Sequence, residues 1–134
     1  VGSEANAIEP NKRPLSSMTP TILIYDGYPI MTIGSPGGSK IITTVLQCIL
    51  NVLIHDMNIK EAVCAPRIHH QWLPDFVMME EGISKDTKDI LLEMGHIIAP
   101  GERTIGSLST IMYKGGIFYG AADIRSLDAA AIGY

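Results

Sequence analysis

The sequence predicts one mixed α/β domain, with antiparallel strands forming a layer and helices covering it. Three observations carry that prediction. Two short apolar runs flank Asp26-Gly27, a strong hairpin turn, and another pair flanks Lys114-Gly115. Between the hairpins lies a long stretch whose apolar residues recur at helical spacing.

Taken in order, residues 1 to 20 contain Pro10, Pro14 and Pro20 and no regular apolar period, so they predict an extended lead-in. Thr21 to Tyr25 and Tyr28 to Ile33 are the strands of the first hairpin. Ile41, Ile42, Val45, Leu46, Ile49, Leu50, Leu53 and Ile54 then define a helix to about His55, with Thr43, Gln47, Asn51 and His55 on its polar stripe. Asn58 and Glu61 form a capping pair for a short helix that must end before Pro66. Arg67 to Gln71 and Phe76 to Glu80 are short strands around the Trp72-Leu73-Pro74-Asp75 bend. Ser84 caps a helix through about Met94, which Gly95 terminates. His96 to Ala99 is extended, and Ser107 to Tyr113 with Gly116 to Gly120 make the second hairpin.

The chain has 134 residues, the length of one ordinary domain, and shows no internal repeat or interdomain linker. It is 46% hydrophobic and only 18% charged. Globular domains average about a quarter charged, so the apolar surplus predicts faces that another segment or subunit covers. A net charge of −4 without any basic run argues against a nucleic-acid partner. Thr, Gln, Asn and His interrupt the longest apolar stretch, which excludes a membrane span there. Val1 is not an initiator methionine, so the chain is expected to derive from a longer polypeptide. Cys48 and Cys64 are expected to be buried free thiols.

The Ser35-Pro36-Gly37-Gly38-Ser39 turn, taken alone, reads first as a glycine-rich helix start without a ligand, but its position also suits an anion. A glycine-rich passage from strand to helix aims unpaired backbone N–H groups at one point, where the helix dipole also favours negative charge. A phosphate does not fit. Counted from Gly34, Ser39 fills the second Walker glycine position, and Ile41 follows Lys40 in place of a hydroxyl. Gly34, Gly37 and Gly38 do not make a dinucleotide fingerprint either.

Four stretches, NKRPLSSMTPTI (11 to 22), GSPGGSKIITTVLQ (34 to 47), APRIHHQWLPD (65 to 75) and YGAADIRSLDAAAIGY (119 to 134), resemble the γ-glutamyltranspeptidase family. The match is to the C-terminal part of its small subunit. The resemblance implies an N-terminal nucleophile hydrolase, a four-layer αββα sandwich cut autocatalytically into a large and a small subunit. In that family an N-terminal threonine attacks the γ-glutamyl amide of glutathione and related compounds. The γ-glutamyl ester is resolved by water or by an acceptor amino acid or peptide. No metal or organic cofactor is implied, because the threonine's α-amine can serve as base.

Carried onto this sequence, the resemblance makes Gly37 and Gly38 oxyanion-hole donors through their main-chain N–H groups. It makes Ser16 and Ser17 the pair that holds the substrate α-carboxylate. Two adjacent hydroxyls can grip both oxygens by charge-assisted hydrogen bonds. His69 and His70 adjoin on a strand and so point to opposite faces, which favours structural roles over a shared metal. Asp123 and Arg125 resemble an Asp-Pro-Arg motif with Ile124 in place of proline, and a structural ion pair is expected. Lys40 replaces a common arginine and Ile68 a common phenylalanine.

Val1 has neither hydroxyl nor thiol and cannot be the nucleophile. The resemblance puts the threonine and the residues for the substrate α-amino group upstream, and an arginine for its carboxylate in the large subunit. Expected partners are therefore the γ-glutamyl substrate, its acceptor, the large subunit and the upstream part of the small subunit, in the periplasm or outside the cell. The 134 residues alone are expected to be inactive. A related acylase of the cephalosporin-acylase kind and a non-catalytic binding module are the alternatives.

Overall fold

The structure, a computed structural model, describes residues 3–101 and 103–133. After a single 3-10 turn at Glu4–Asn6 the lead-in stays irregular to Pro20. Strands β1 (Thr21–Tyr25) and β2 (Tyr28–Gly34) are joined by Asp26 and Gly27, both at positive φ, as the right-handed twist of a tight hairpin requires. Helix α1 (Lys40–Leu53) and helix α2 (Ile59–Cys64) follow. The two-residue strands β3 (Ile68–His69) and β4 (Met78–Met79) pair around the Trp72 bend. Helix α3 (Lys85–Glu93) leads to the hairpin of β5 (Ser109–Lys114) and β6 (Ile117–Gly120). The turn of that hairpin is Gly115-Gly116, one residue later than expected, because Lys114 still pairs with Ile117.

The main sheet has the order β1-β2-β5-β6 and is antiparallel throughout. Its register sorts side chains by face. Leu23, Met31 and Met112 align across three strands and turn inward, with Ile33 and Thr110 in the next inward row. They meet Ile41, Val45 and Cys48 of α1 and Ile59, Ala62 and Val63 of α2 in one apolar core. The opposite face carries Ile22, Ile111, Tyr113 and Phe118, all exposed. The main sheet thus carries α1 and α2 on one side, two layers of a sandwich, and its other face is apolar and uncovered among the described residues.

Helix α1 departs from the expected simple amphipath. Thr43 and Gln47, expected to face water, lie against β3 instead. The Gln47 side chain donates to the Ile68 carbonyl at 2.7 Å and accepts from the Ile68 N–H at 2.9 Å, extending the β3 ladder. Rolling the polar stripe onto β3 turns Ile42, Leu46, Leu50 and Leu53 outward, where 39–53% of each is exposed. Helix α2 has the expected capping box: Asn58 Oδ1 accepts from the Glu61 N–H, and Glu61 Oε2 accepts from the Asn58 N–H, each at 3.0 Å. Such a cap is worth about 1 kcal/mol. Ser84 caps α3 through the Thr87 N–H.

A buried ionic knot ties the small β3–β4 region to the C-terminal segment. Arg67, only 2% exposed, donates to the Val63 and Ile105 carbonyls and to Asp123 Oδ2. Arg125 bridges Asp123 and Glu80 and also donates to the carbonyls of Val63 and Ala65. The expected Asp123–Arg125 ion pair is therefore one edge of a four-residue network.

Candidate active site

The register of the first hairpin brings the expected site residues to one end of the sheet. Thr21 pairs with Ile33. Ser17 stands four positions before Thr21, and Gly37 four positions after Ile33, so the serine pair enters and the glycine pair leaves at the same end. The loop before β5 ends there too, since Ser109 pairs with Gly34.

Gly37 and Gly38 have φ of 139° and 59°, both in the region that favours glycine, and both are exposed. Their N–H groups donate to no main-chain carbonyl among the described residues. Their carbonyls do bond, accepting from Lys40 and Ile41 at 3.2 Å each, and this turns the chain into α1. The peptide plane is thus anchored on its oxygen side and open on its nitrogen side. A side chain at Gly38 would meet nothing within 4 Å, so the space before the loop is free.

Two serines pin the loop at its ends. Ser35 Oγ accepts from the Ser107 N–H at 3.0 Å and donates to the Pro36 carbonyl at 2.7 Å. Ser39 Oγ donates to Gln71 Oε1 at 2.6 Å. Gly106 packs beneath the loop. At φ 65°, a Cβ on it would lie 2.7 Å from both Ser35 Oγ and Thr44 Oγ1. Thr44 Oγ1 is itself buried without a partner.

The serine pair sits in an extended, exposed stretch. Ser16 Oγ accepts from the Met18 N–H at 3.1 Å, which is the local turn role common for serine. Accepting leaves its own hydrogen free to donate. Ser17 contributes its carbonyl to the Thr19 hydroxyl at 3.0 Å, and its side chain makes no hydrogen bond among the described residues. Both hydroxyl hydrogens thus remain available to a carboxylate.

The two histidines separate as strand geometry requires. His69 is buried, with Nδ1 2.7 Å from Thr43 Oγ1 and Nε2 3.1 Å from Gln71 Oε1. His70 is exposed and pairs with Asp75 at 3.1 Å. Among the described residues no three His, Cys, Asp or Glu side chains are grouped to hold a metal. Neither cysteine is in a disulfide. Cys48 is buried as expected, while Cys64 is only partly so.

The charged knot binds the main chain of Ile105 and Leu108, on either side of Gly106 and Ser107, and lies beside a concavity of about 400 Å³ lined by Cys64, Pro66, Glu80, Arg103 and Arg125 among others. Burial by itself raises the carboxyls of Glu80 and Asp123. For Glu80, hydrogen bonds from Arg125 and Ile105 outweigh burial and hold it below its ordinary value. For Asp123, the Leu108 N–H and the Arg67 guanidinium do the same. These groups are satisfied by one another, which leaves the concavity without a free reactive group of theirs.

Sequence reasoning missed Ser35, Ser39, Gln71 and Gly106 as supports of the loop. The hint was there in the two serines that bracket Gly37-Gly38.

The fold has close counterparts among solved structures. A γ-glutamyltranspeptidase T380A mutant from Helicobacter pylori superposes with a TM-score of 0.85 at 50% identity, over 94% of this chain and 70% of that one. The architecture is therefore that of an N-terminal nucleophile hydrolase, seen here in part. Residues 1–133 match the γ-glutamyltranspeptidase family, and the chain belongs to it. It is 51% identical to a glutathione hydrolase proenzyme of Escherichia coli K12 over all of this chain and 23% of the relative. The corresponding proenzyme of Bacillus subtilis 168 is 45% identical over 96% of this chain and 22% of the relative. The chain spans about a quarter of the length of these curated relatives. Among the described residues no helix is long and apolar enough to cross a membrane.

Proposed function

We propose that this chain is the C-terminal portion of the small-subunit domain of a γ-glutamyl hydrolase or transferase, acting on the γ-glutamyl amide of glutathione and related compounds. The observation that carries the proposal is the pair of exposed, unpaired N–H groups at Gly37 and Gly38, at the sheet end where Ser16 and Ser17 arrive.

In this reading an upstream threonine hydroxyl attacks the γ-carbonyl, and its own α-amine takes the proton. The carbonyl oxygen becomes an alkoxide only in flight. Gly37 and Gly38 N–H groups stabilise that charge, so they favour the transition state over the bound amide. Collapse expels the amine and leaves a γ-glutamyl ester, which water or an acceptor amine then cleaves. Ser16 and Ser17 hold the substrate α-carboxylate so that the γ-carbonyl reaches the donors. The large subunit and the upstream part of the small subunit cover the open sheet face and supply the remaining layers. By family, the whole protein works in the periplasm or outside the cell.

The test is to replace the Gly38 amide by an ester in the full-length protein, incorporating glycolic acid at that position. Proline there would not isolate the donor, because its ring fixes φ near −65° and Gly38 sits at 59°. Loss of one such donor lowers kcat by roughly a hundred- to a thousandfold, about 3–4 kcal/mol. An ester variant with full turnover of a chromogenic γ-glutamyl amide refutes the assignment.

A further inference from the structure

Ser39 precedes the first residue of α1, where a serine ordinarily folds its hydroxyl back onto the helix's own N–H groups. Here it does not. Its backbone is already helical, at φ −62° and ψ −20°, and its side chain makes no cap bond. The hydroxyl crosses instead to Gln71 Oε1, 32 positions away in sequence, at 2.6 Å. Gln71 is held in turn: its Nε2 donates to the Leu73 carbonyl at 2.9 Å, so Oε1 must face Ser39. His69 Nε2 lies 3.1 Å from the same Oε1, and its Nδ1 closes onto Thr43 of α1 at 2.7 Å. With Oε1 accepting from both neighbours, the ring proton of His69 that meets it is on Nε2, and Nδ1 faces the Thr43 hydroxyl, which also reaches the Lys40 carbonyl at 3.1 Å.

We infer that Ser39 and Gln71 are positioning residues that fix the Gly38–Ser39 peptide, and through it the direction of the loop's N–H groups. The inference rests on the oxyanion-hole reading above. Donors stabilise a developing charge only if they are already aimed at it, within about half an ångström. Gly38 has no side chain and no neighbour within 4 Å of where one would begin, so packing does not aim it. Ser35 tethers one end of the loop to Ser107. The Ser39–Gln71 bond tethers the other to the bend between β3 and β4, a separate part of the fold.

The experiment compares Ser39→Ala, Gln71→Ala, the double variant and Ser39→Thr in the full-length protein, assayed with a chromogenic γ-glutamyl amide. Each single alanine variant is expected to lower kcat about tenfold with KM within about twofold. The double variant should be no worse than the poorer single, since both remove one bond. Ser39→Thr keeps the hydroxyl and should recover most of the rate. Unchanged kcat in Ser39→Ala, losses that multiply in the double variant, or no recovery with threonine each overturns the inference. Should Gln71→Ala fail to fold, the Ser39→Ala and Ser39→Thr pair decides it. The Gly38 ester separates the two levels. If the ester lowers kcat but Ser39→Ala does not, the donors stand and their tether falls. If the ester leaves kcat unchanged, the oxyanion reading and this inference fall together.

Discussion

Arg67 Nη2 and Asp123 Oδ2 meet at 2.7 Å with both side chains withdrawn from water, joining the start of β3 to the C-terminal segment. Asp123 also accepts from the Leu108 N–H at 2.7 Å, so one carboxylate fixes the segment leading into β5 as well. Truncating one partner leaves the other charge buried and unpaired, which typically costs 3–5 kcal/mol. Asp123→Ala is expected to lose about that much in urea unfolding. Surface pairs contribute about 0–1 kcal/mol, so Asp89→Ala, which breaks the exposed Lys85 pair on α3, should change little.

The same knot sets an acid limit. Glu80 and Asp123 are held below their ordinary values in the folded state, so the unfolded chain binds protons more readily than the folded one. Their stabilisation is fully present above the ordinary carboxylate range and is lost as pH falls through the folded values. Urea midpoints should therefore be flat near neutrality and drop steeply in acid. Asp123→Asn, less stable throughout, should show a shallower drop. An identical slope in wild type and variant would count against this origin.

Gly106 gives a test that distinguishes crowding from backbone strain. Gly38→Ala places a side chain in open space and meets only the left-handed penalty of roughly 1–2 kcal/mol. Gly106→Ala meets that penalty at φ 65° and also drives a Cβ to 2.7 Å from Ser35 and Thr44. Overpacking of this kind adds about 1–3 kcal/mol. The loss in unfolding free energy should accordingly be larger at Gly106 than at Gly38. Because Ser35 anchors the glycine loop, turnover of the full-length protein should also fall in Gly106→Ala.

The local rules were legible in sequence: the Asp26-Gly27 turn, the Asn58–Glu61 box and the Ser84 cap all depend on neighbours a few positions apart. So did the glycine doublet at a helix start. What the sequence hid is non-local. Gln47 has the spacing of a solvated helix residue, and only the arrival of Ile68 alongside makes it a strand partner. Ser39 has the position of a cap, and only the fold of the Trp72 bend offers it Gln71. Arg67 and Glu80 gave no signal of joining Asp123 and Arg125, because pairing across such separations is a property of tertiary structure.

The two thiols should behave differently. Burial pushes Cys48 up to about 11, against a smaller opposing influence from the Arg67 charge, and only 1% of the residue is exposed. A thiol of that kind holds almost no thiolate at neutral pH, and thiolate is the reactive form. Cys64 is partly exposed beside the concavity near Arg125. Titration of the native chain with a disulfide reagent should modify Cys64 first and Cys48 only on unfolding. Equal rates at the two positions would contradict the packing around Cys48.

The uncovered apolar faces predict the behaviour of the 134 residues on their own. Ile22, Ile111 and Phe118 on the sheet, with Ile42, Leu46 and Leu53 on α1, are each at least half exposed. Apolar surface is worth about 25 cal/mol per Å² when removed from water, so two such faces favour association wherever no other segment covers them. The isolated chain should scatter light as oligomers and bind a hydrophobic dye. Ile111→Lys with Phe118→Lys should weaken both signals, because these residues face outward and lie outside the core. It should also fail to turn over a γ-glutamyl amide, since the proposed attacking threonine lies upstream. A monomer with weak dye binding would refute the open-face argument, and turnover by the pure 134 residues would refute the division of labour proposed for the site.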